Sequence, residues 1–417
     1  PYAAIASLLR GALSIPRAAS PVAAGELLLE QLSAQAPHLI ELAPLIAVAV
    51  RADVPDTEAA DAITRTFRGT RIREVVIELL TAVRGQPTVF VAEDTHDFDD
   101  ASRLILTGLA AAERPWLILA TRRTDGAPLD GADTILLPPL GQGAIRKVIG
   151  DMIEEAPMSR RQFASLVEAS AGNPLFAHEL VLAATRGDNG SVPDRIDGII
   201  SSRIDRLDLD VKLMLRDLAV AGNEANSDTI DLLLAEHGLG DEGLTLARDF
   251  LAVTDHGVRF RHDLYRRAAY EGLSVRRRRE LHARLASAIA ERPDASSRSA
   301  QIAEHAHHAG DAPTTWLWAR TAAAEALEQG ATHEAALHLQ RALATATTLS
   351  VGAAEEARVA EMLGDSLELA GRPAEAHAAY RRARRAAGGD VVEQARLCSK
   401  HARVDERAGR YLSLIHI

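Results

Sequence analysis

Glu93 and Asp94 form an adjacent pair of acids that directly follows a short apolar run, residues 89–92. The run predicts a buried parallel strand with the acids at its carboxyl end. Two carboxylates are costly to place there unless they hold a cation or polarise a water molecule. The pattern therefore indicates metal or hydrolytic chemistry. The alternative is a plain strand that ends in a solvated turn.

A second apolar run, residues 115–120, also predicts a buried strand and ends in the polar residues Thr121 and Arg122. Between the two strands, the sequence predicts a loop and then an amphipathic helix that an Asp or Ser side chain caps. In an open α/β sheet, ligands bind outside the carboxyl ends of the strands. That edge of the sheet is therefore the predicted site.

Together these segments resemble a known family. The patterns are Glu-Asp-x-His-x-x-Asp-x-Ala-Ser from residue 93 and Arg-Pro-Trp-Leu-Ile-Leu-Ala-Thr-Arg-Arg from residue 114. They resemble the signalling ATPases of the STAND class, a branch of the AAA-like P-loop NTPases, and in particular the ATPase module of bacterial adenylate/guanylate cyclases. Large LuxR-type transcription regulators are close relatives. The resemblance covers nearly the whole chain.

The resemblance implies roles for the four polar residues. Glu93 would be the Mg²⁺-side acid of a Walker B strand and Asp94 the acid that orients the attacking water, so that both belong to the Mg²⁺ site. Thr121 or Arg122 would sense the γ-phosphate of ATP. Many relatives carry Asp where this chain has Glu93, which leaves the division of labour between the two acids open.

The implied fold class is an α/β P-loop NTPase-like parallel sheet, incomplete, followed by an all-α lid, a winged helix and TPR-like helical repeats. The corresponding ranges are 1–140 for the core, 141–190 for the lid, 191–275 for the winged-helix-like domain and 276–417 for the repeats. Helical patterns over residues 20–84, a short strand at 134–137 and a helix that opens at 192–194 are further expectations.

Four residues of the lid and winged helix are candidate nucleotide contacts. Gly172 and Pro174 belong to a Gly-Asn-Pro turn that suits the start of a helix on its own account. In the family this turn packs against adenine, so Gly172, Pro174 and Phe176 are expected to contact the base. His262 lies where related switch ATPases place a histidine against the β-phosphate of ADP. The alternative for His262 is an ordinary structural histidine at the end of a strand.

Residues 330–335 and 371–376 share a pattern of small residues and begin 41 positions apart. The pattern resembles tetratricopeptide repeats, whose paired helices approach closely at small residues, but the match is partial because their usual period is about 34 residues. The repeats predict either a concave surface that binds a protein partner or a helical stack that only supports the ATPase.

The chain has three lysines, Lys147, Lys212 and Lys400, and none lies in the Gly-Lys-Ser/Thr sequence of a phosphate-binding P-loop. We therefore expect a fragment of a longer protein, cut near residue 1 and carrying an artefactual end at residues 413–417. The alternative is a natural chain without a P-loop. The output of the intact protein would be a cyclase domain upstream or a LuxR-type DNA-binding domain downstream, and the third hypothesis is a scaffold that does not hydrolyse ATP.

Composition limits the partners. A chain of 417 residues with 47% hydrophobic and 25% charged residues predicts several soluble domains, and its formal charge of -11 gives no general attraction to nucleic acid or membranes. The Arg276–Arg279 run is better explained as a solvated helix face than as a nucleic-acid site. Cys398 is the single cysteine, which excludes an internal disulfide, and we expect a cytoplasmic protein.

Overall fold

The computed structural model describes residues 1–124, 126–153, 158–185, 196–234, 241–254 and 257–407. The predicted helix start at 192–194 and the predicted artefactual end at 413–417 lie outside these ranges. The chain is mostly helical and divides into two units. Unit 1 contains Pro1–Thr134, Pro293–His307 and the chain from Ala312 onward, and unit 2 contains Ile135–Arg292 and His308–Asp311.

The first part of unit 1 places six helices and two strands around one apolar core. The core is built from helix faces with apolar residues at three- and four-residue spacing, such as Ile72, Val76 and Leu79 on one helix and Ile105 and Leu109 on another. The helices confirm the helical prediction for residues 20–84. The elements are α1 (Ala3–Ala12), α2 (Pro21–Gln35), α3 (Ala43–Val50), α4 (Glu58–Asp61), α5 (Arg65–Val83), β1 (Thr88–Ala92), α6 (Asp100–Ala111) and β2 (Trp116–Ala120).

Strands β1 and β2 pair in parallel, with Thr88 opposite Trp116 and Ala92 opposite Ala120. The helix between them begins after Asp99, whose side chain accepts a hydrogen bond from the Ser102 backbone N–H. The predicted strand, cap and helix are therefore confirmed.

The prediction that both strands are fully buried is wrong. Phe90 and Ala92 face the core, whereas the alternate residues of the two strands are exposed on the other face. Within the described residues this sheet has two strands, and its helical contacts bury one face only. The predicted strand at 134–137 is also absent, and Ile135, Leu136 and Leu137 are exposed.

Unit 2 contains two apolar cores. The first is formed by α7 (Gln142–Met152), α8 (Arg160–Ala169) and α9 (Pro174–Thr185), in the range predicted for the lid. The second joins helices to a three-stranded antiparallel sheet in the order β3-β5-β4, in the range predicted for the winged-helix-like domain. Its elements are α10 (Ile196–Asp205), α11 (Leu209–Leu218), β3 (Glu224–Asn226), α12 (Ser227–Leu234), α13 (Asp241–Leu246), β4 (Leu251–Thr254), β5 (Gly257–Phe260), α14 (Asp263–Glu271) and α15 (Val275–Ala290). The domain boundaries at 140, 190 and 275 remain predictions.

The rest of the chain is a succession of helices, of which α17 to α21 each pack on the next in sequence. The helices are α16 (Ser299–Ala309), α17 (Ala312–Glu328), α18 (Thr332–Leu349), α19 (Ala353–Leu369), α20 (Pro373–Ala387) and α21 (Val391–Arg407). The two similar segments stand at equivalent places, the starts of α18 and α20. Each follows a glycine with positive φ, Gly330 at 70° and Gly371 at 71°. The prediction of helical repeats is confirmed at this level.

A substitution at Gly364 tests whether small residues allow the close packing of helices in these repeats. A Cβ at this position would lie 2.5 Å from the ring of Tyr380, which is fully buried and has no room to move. We expect Gly364→Ala to lower the free energy of unfolding by about 1–3 kcal/mol through overpacking, despite the better helix propensity of alanine. Urea unfolding followed by tryptophan fluorescence measures the change, because all three tryptophans lie in unit 1.

Gly11 is the matched control. It lies in α1 of the same unit, and a Cβ there would meet no atom within 4 Å. Gly11→Ala should therefore raise the free energy of unfolding by about 0.5–1 kcal/mol. If both substitutions stabilise unit 1, the close approach of α19 to Tyr380 is wrong.

Within the described ranges, no helix has both the length and the apolar character needed to cross a membrane.

Candidate functional site

The polar residues at the ends of β1 and β2 are held together by hydrogen bonds. Asp94 adopts a left-handed conformation with φ at 52°, and its backbone N–H donates to the Thr121 hydroxyl over 3.0 Å. The Thr95 hydroxyl and backbone N–H both donate to the Thr121 carbonyl oxygen, over 3.0 and 2.9 Å. The parallel strands thus bring Glu93, Asp94 and Thr121 to one edge of the sheet. That arrangement agrees with the sequence prediction.

The acids themselves are exposed rather than buried. The Asp94 side chain is 76% exposed, and Glu93 is exposed as well. Because water can solvate both carboxylates, their position does not require a bound cation. The argument from burial in the sequence analysis is therefore wrong for these residues, and the Mg²⁺ site remains a prediction that rests on the resemblance and on the turn geometry.

His96 is a component of this edge to which the sequence analysis gave no role. Its side chain is only 9% exposed, and its ring nitrogens lie 3.9 Å from Asp94 Oδ1 and 3.8 Å from Asp97 Oδ1. Neither ring nitrogen forms a hydrogen bond. The loop backbone at Gly126 packs directly on His96, where a Cβ would come within 2.7 Å of the histidine Cβ. The only sequence indication was its place two residues after the acid pair.

Arg122 and Thr121 differ in what they offer a ligand. Arg122 Nη1 donates to the carbonyl oxygens of Gly126, over 2.8 Å, and of Arg123, over 3.2 Å, so this side chain holds the following loop. The Thr121 hydroxyl accepts the Asp94 N–H and keeps its own hydrogen to donate. Of the two residues predicted to sense the γ-phosphate, Thr121 is therefore the one whose position is fixed beside the acids.

In unit 2, Gly172 closes the turn before α9. It has φ at 78°, its carbonyl oxygen accepts the Leu140 N–H over 2.8 Å, and a Cβ would lie 2.5 Å from the Leu140 carbonyl oxygen. Only glycine fits this close approach. The Asn173 side chain accepts the Phe176 N–H over 3.1 Å, which caps the helix. Pro174 occupies the first helical position, as the sequence predicted.

Pro174 and Phe176 differ in how accessible their rings are to a ligand. Pro174 is exposed, whereas Phe176 is 7% exposed and packs in the apolar core of the lid. The Phe176 ring thus has little free surface for a base, and a contact between Phe176 and adenine remains a prediction.

His262 is the N-cap of α14. Its Nδ1 accepts the Leu264 backbone N–H over 3.2 Å, and its ring is exposed. Because Nδ1 accepts, a neutral His262 carries its proton on Nε2. His262 therefore has the structural role that was the alternative prediction. Its Nε2–H donor points away from the helix cap.

A buried polar network joins the helix after the Gly-Asn-Pro turn to the helix that His262 caps. Glu179 on α9 is fully buried, pairs with Arg203 of α10 and accepts the Tyr265 hydroxyl of α14 over 2.7 Å. Burial and the hydrogen bond to Glu179 raise the pKa of Tyr265 to about 12. The sequence analysis missed this network. A glutamate among the apolar residues of α9 was its only indication.

Comparisons with known proteins give limited information. No protein-family model matches the chain. An uncharacterized protein of Rhizobium meliloti, R02095, is 27% identical over an alignment of 272 positions. The alignment covers 58% of this chain and 26% of that protein. The chain therefore spans about a quarter of the length of this relative.

Among solved structures, the chain is similar to a STAND protein with a tetratricopeptide repeat sensor, PH0952 from Pyrococcus horikoshii. The TM-score is 0.44 at 14% identity, over 87% of this chain and 58% of that one. A similarity of this size does not establish a shared fold or function.

Proposed function

We propose that the chain is the regulatory region of a STAND-type signalling ATPase, in which the bound nucleotide switches an attached nucleotide cyclase domain. The observation that carries the proposal is the edge of the β1–β2 sheet. There, an acid pair follows one parallel strand, a threonine follows the next, and the Asp94 N–H is bonded to the Thr121 hydroxyl. In P-loop NTPases an acid of the Walker B strand helps to hold Mg²⁺, and this similarity supports the proposal.

The residues present suit Mg²⁺ better than they suit the triphosphate. Glu93 and Asp94 offer exposed carboxylate oxygens, the ligand type that Mg²⁺ prefers, and they would hold the ion together with water molecules. The backbone cradle and lysine that bind β- and γ-phosphates have no counterpart in the sequence. Thr121 would report on the γ-phosphate by donating its hydroxyl hydrogen.

The sequence resemblance also assigns nucleotide contacts to two residues of unit 2. Pro174 is exposed at the start of α9, where its ring would pack on adenine. The Nε2–H of His262 would donate to the β-phosphate of ADP and favour the ADP-bound resting state, because its Nδ1 is already used as the helix cap. The switch itself would then be a change in the population of two states that bind ATP and ADP differently.

Three alternative functions are open for the intact protein. A cyclase domain upstream is favoured by the sequence resemblance, whereas a LuxR-type DNA-binding domain downstream would make the chain the sensor of a transcription regulator. A third function, a scaffold whose repeats bind a protein partner without hydrolysis, would require that the Gly-Lys-Ser/Thr sequence be missing from the full gene as well. The reading frames that flank the chain distinguish these functions.

Calorimetric titration with ATP and Mg²⁺ tests the proposal in two arms. Residues 1–417 alone should show no saturable binding, since the phosphates have no anion site. The intact protein from the same gene should bind ATP. In it, Asp94→Asn should keep the affinity and slow hydrolysis by about 10²–10³-fold, the usual effect of removing one catalytic polar group.

Asp97→Asn is the matched control for hydrolysis, because Asp97 is an exposed acid on the same loop that the proposal assigns no role. Saturable micromolar ATP binding by residues 1–417 contradicts the first arm. Equal hydrolysis by Asp94→Asn and the parent protein contradicts the second.

A further inference from the structure

Helices α20 and α21 bring two histidines and an aspartate together inside the helical repeats. His377 lies on α20, and His401 and Asp405 lie on α21. Their nitrogen and oxygen ligand atoms all lie within 4.8 Å of one another. None of these three residues belongs to the sites described above.

The three side chains are buried. His377, His401 and Asp405 are 9, 8 and 4% exposed. His401 and Asp405 stand four residues apart, which places them on one face of α21, toward α20. A buried carboxylate between two imidazoles differs from the exposed acid clusters that are common on protein surfaces, because burial of a charge requires a partner.

The nitrogens that face this cluster are not satisfied by hydrogen bonds. His377 Nε2 lies 2.8 Å from Asp405 Oδ1, yet the direction of approach does not make a hydrogen bond. His401 Nδ1 is likewise buried without a hydrogen-bond partner. A neutral imidazole has the lone pair that a metal ion needs.

We propose that His377, His401 and Asp405 form a binding site for a divalent transition-metal ion, of which Zn²⁺ is the natural occupant. Zn²⁺ is bound by imidazole nitrogen and carboxylate oxygen at about 2.0–2.2 Å, so the ligand atoms of a tetrahedral site lie about 3.4 Å apart. The widest separation here exceeds that value by at most about 1.4 Å, a distance that side-chain rotation closes. Two imidazoles with one carboxylate suit Zn²⁺ better than Mg²⁺ or Ca²⁺, which prefer oxygen ligands only.

The ion would connect α20 to α21. Three protein ligands leave one position of a tetrahedral ion for water or a fourth group. Arg381 and Arg384 lie close enough to affect His401, and their charges oppose a cation. We therefore expect an affinity in the micromolar range rather than that of a four-ligand structural zinc site. Bound metal would stabilise the last helical pair, since an ion that binds only the folded state adds its binding free energy to folding.

The experiment is equilibrium dialysis of the purified chain, stripped with a chelator and free of any histidine tag, against Zn²⁺. We expect one Zn²⁺ per chain. His377→Gln and Asp405→Asn should each weaken binding by at least about 100-fold, the upper end of the effect of even indirect metal partners. His38→Gln is the control, because His38 is an exposed histidine paired with Glu78, and it should leave the affinity unchanged.

Co²⁺ in place of Zn²⁺ keeps the test decisive if the variants fail to fold. In the unsubstituted chain, intense visible bands of a tetrahedral Co²⁺ site support the proposal, and only the weak bands of hydrated or octahedral Co²⁺ overturn it. It is also overturned if no Zn²⁺ is retained, or if folded His377→Gln and Asp405→Asn bind Zn²⁺ as the parent chain does. In those cases the cluster is an ordinary His–Asp pair with a second histidine packed edge-on against the first.

Discussion

Arg203→Ala should lower the free energy of unfolding of unit 2 by about 3–5 kcal/mol, because it leaves Glu179 charged and buried without its partner. Glu179 is fully buried and Arg203 is 6% exposed, so water cannot replace the lost ion pair. The substitution also removes the guanidinium from the Phe250 ring, whose centroid lies 4.9 Å away. The Tyr265 hydroxyl and His178 Nδ1, which lies 3.4 Å from Glu179 Oε1, would remain beside the carboxylate.

Hydrogen exchange measures this effect where it occurs. The three tryptophans lie in unit 1 and do not report on unit 2, whereas the backbone amides of α9, α10 and α14 do. Their protection should fall in Arg203→Ala. The double variant Glu179→Met, Arg203→Met should recover most of the loss, because replacing both charges with apolar side chains of similar volume is often neutral.

Arg276→Ala is the control for this series. Arg276 pairs with Glu280 on the surface of the same unit, and removal of an exposed ion pair should leave the protection unchanged. Unchanged exchange in α9, α10 and α14 of Arg203→Ala would show that the buried pair contributes nothing to unit 2.

Local pattern was enough to predict the elements that carry the candidate site. The apolar runs at 89–92 and 115–120, the Asp99 cap and the turn before Pro174 depend on neighbouring residues alone. Each is found within one residue of its predicted place. The parallel pairing of β1 and β2 was also predictable from the sequence, because parallel neighbours need a crossover connection and a predicted helix separates the two strands.

Burial could not be predicted in the same way. An apolar strand indicates that its side chains avoid water, but which face is covered depends on how many strands and helices lie around it. Val89 and Val91 are exposed because the described helices pack only on the face of Phe90 and Ala92. The conclusion that Glu93 and Asp94 are buried acids failed for this reason, although their position at the strand end was correct.

Networks between distant residues left even less trace in the sequence. Glu179 lies 24 residues from Arg203 and 86 from Tyr265, and nothing in the separate segments indicates that the three side chains meet. The same is true of His377 and the pair His401 and Asp405. Such groups are assembled by packing of helices, so their chemistry becomes visible only when tertiary contacts are known.

His338 makes the stability of unit 1 depend on pH. It lies in α18 at 7% exposure, with Nδ1 buried and without a hydrogen-bond partner. Burial, with the nearby charge of Arg341, lowers the pKa of His338 from 6.5 to about 4. Between these two values the unfolded chain binds a proton that the folded chain does not, so acid favours unfolding.

The expected result is a loss of stability as the pH falls from 6.5 to 4, with the full contribution present above 6.5. A shift of this size corresponds to about 3 kcal/mol, since each pKa unit is worth about 1.4 kcal/mol. His338→Leu should remove this part of the pH dependence. At neutral pH it should unfold at a similar urea concentration, because it exchanges an unsatisfied ring nitrogen for an apolar side chain.

Urea unfolding at a series of pH values, followed by the fluorescence of Trp316 and Trp318 on α17, gives both curves. Other groups also titrate in this range, but they contribute equally to the two proteins, so the difference between the curves isolates one imidazole. That difference should grow as the pH falls and level off near 4. Parallel curves for the parent chain and His338→Leu would mean that His338 accepts its proton as readily in the folded chain as in the unfolded one, and hence that water reaches its ring inside the repeats.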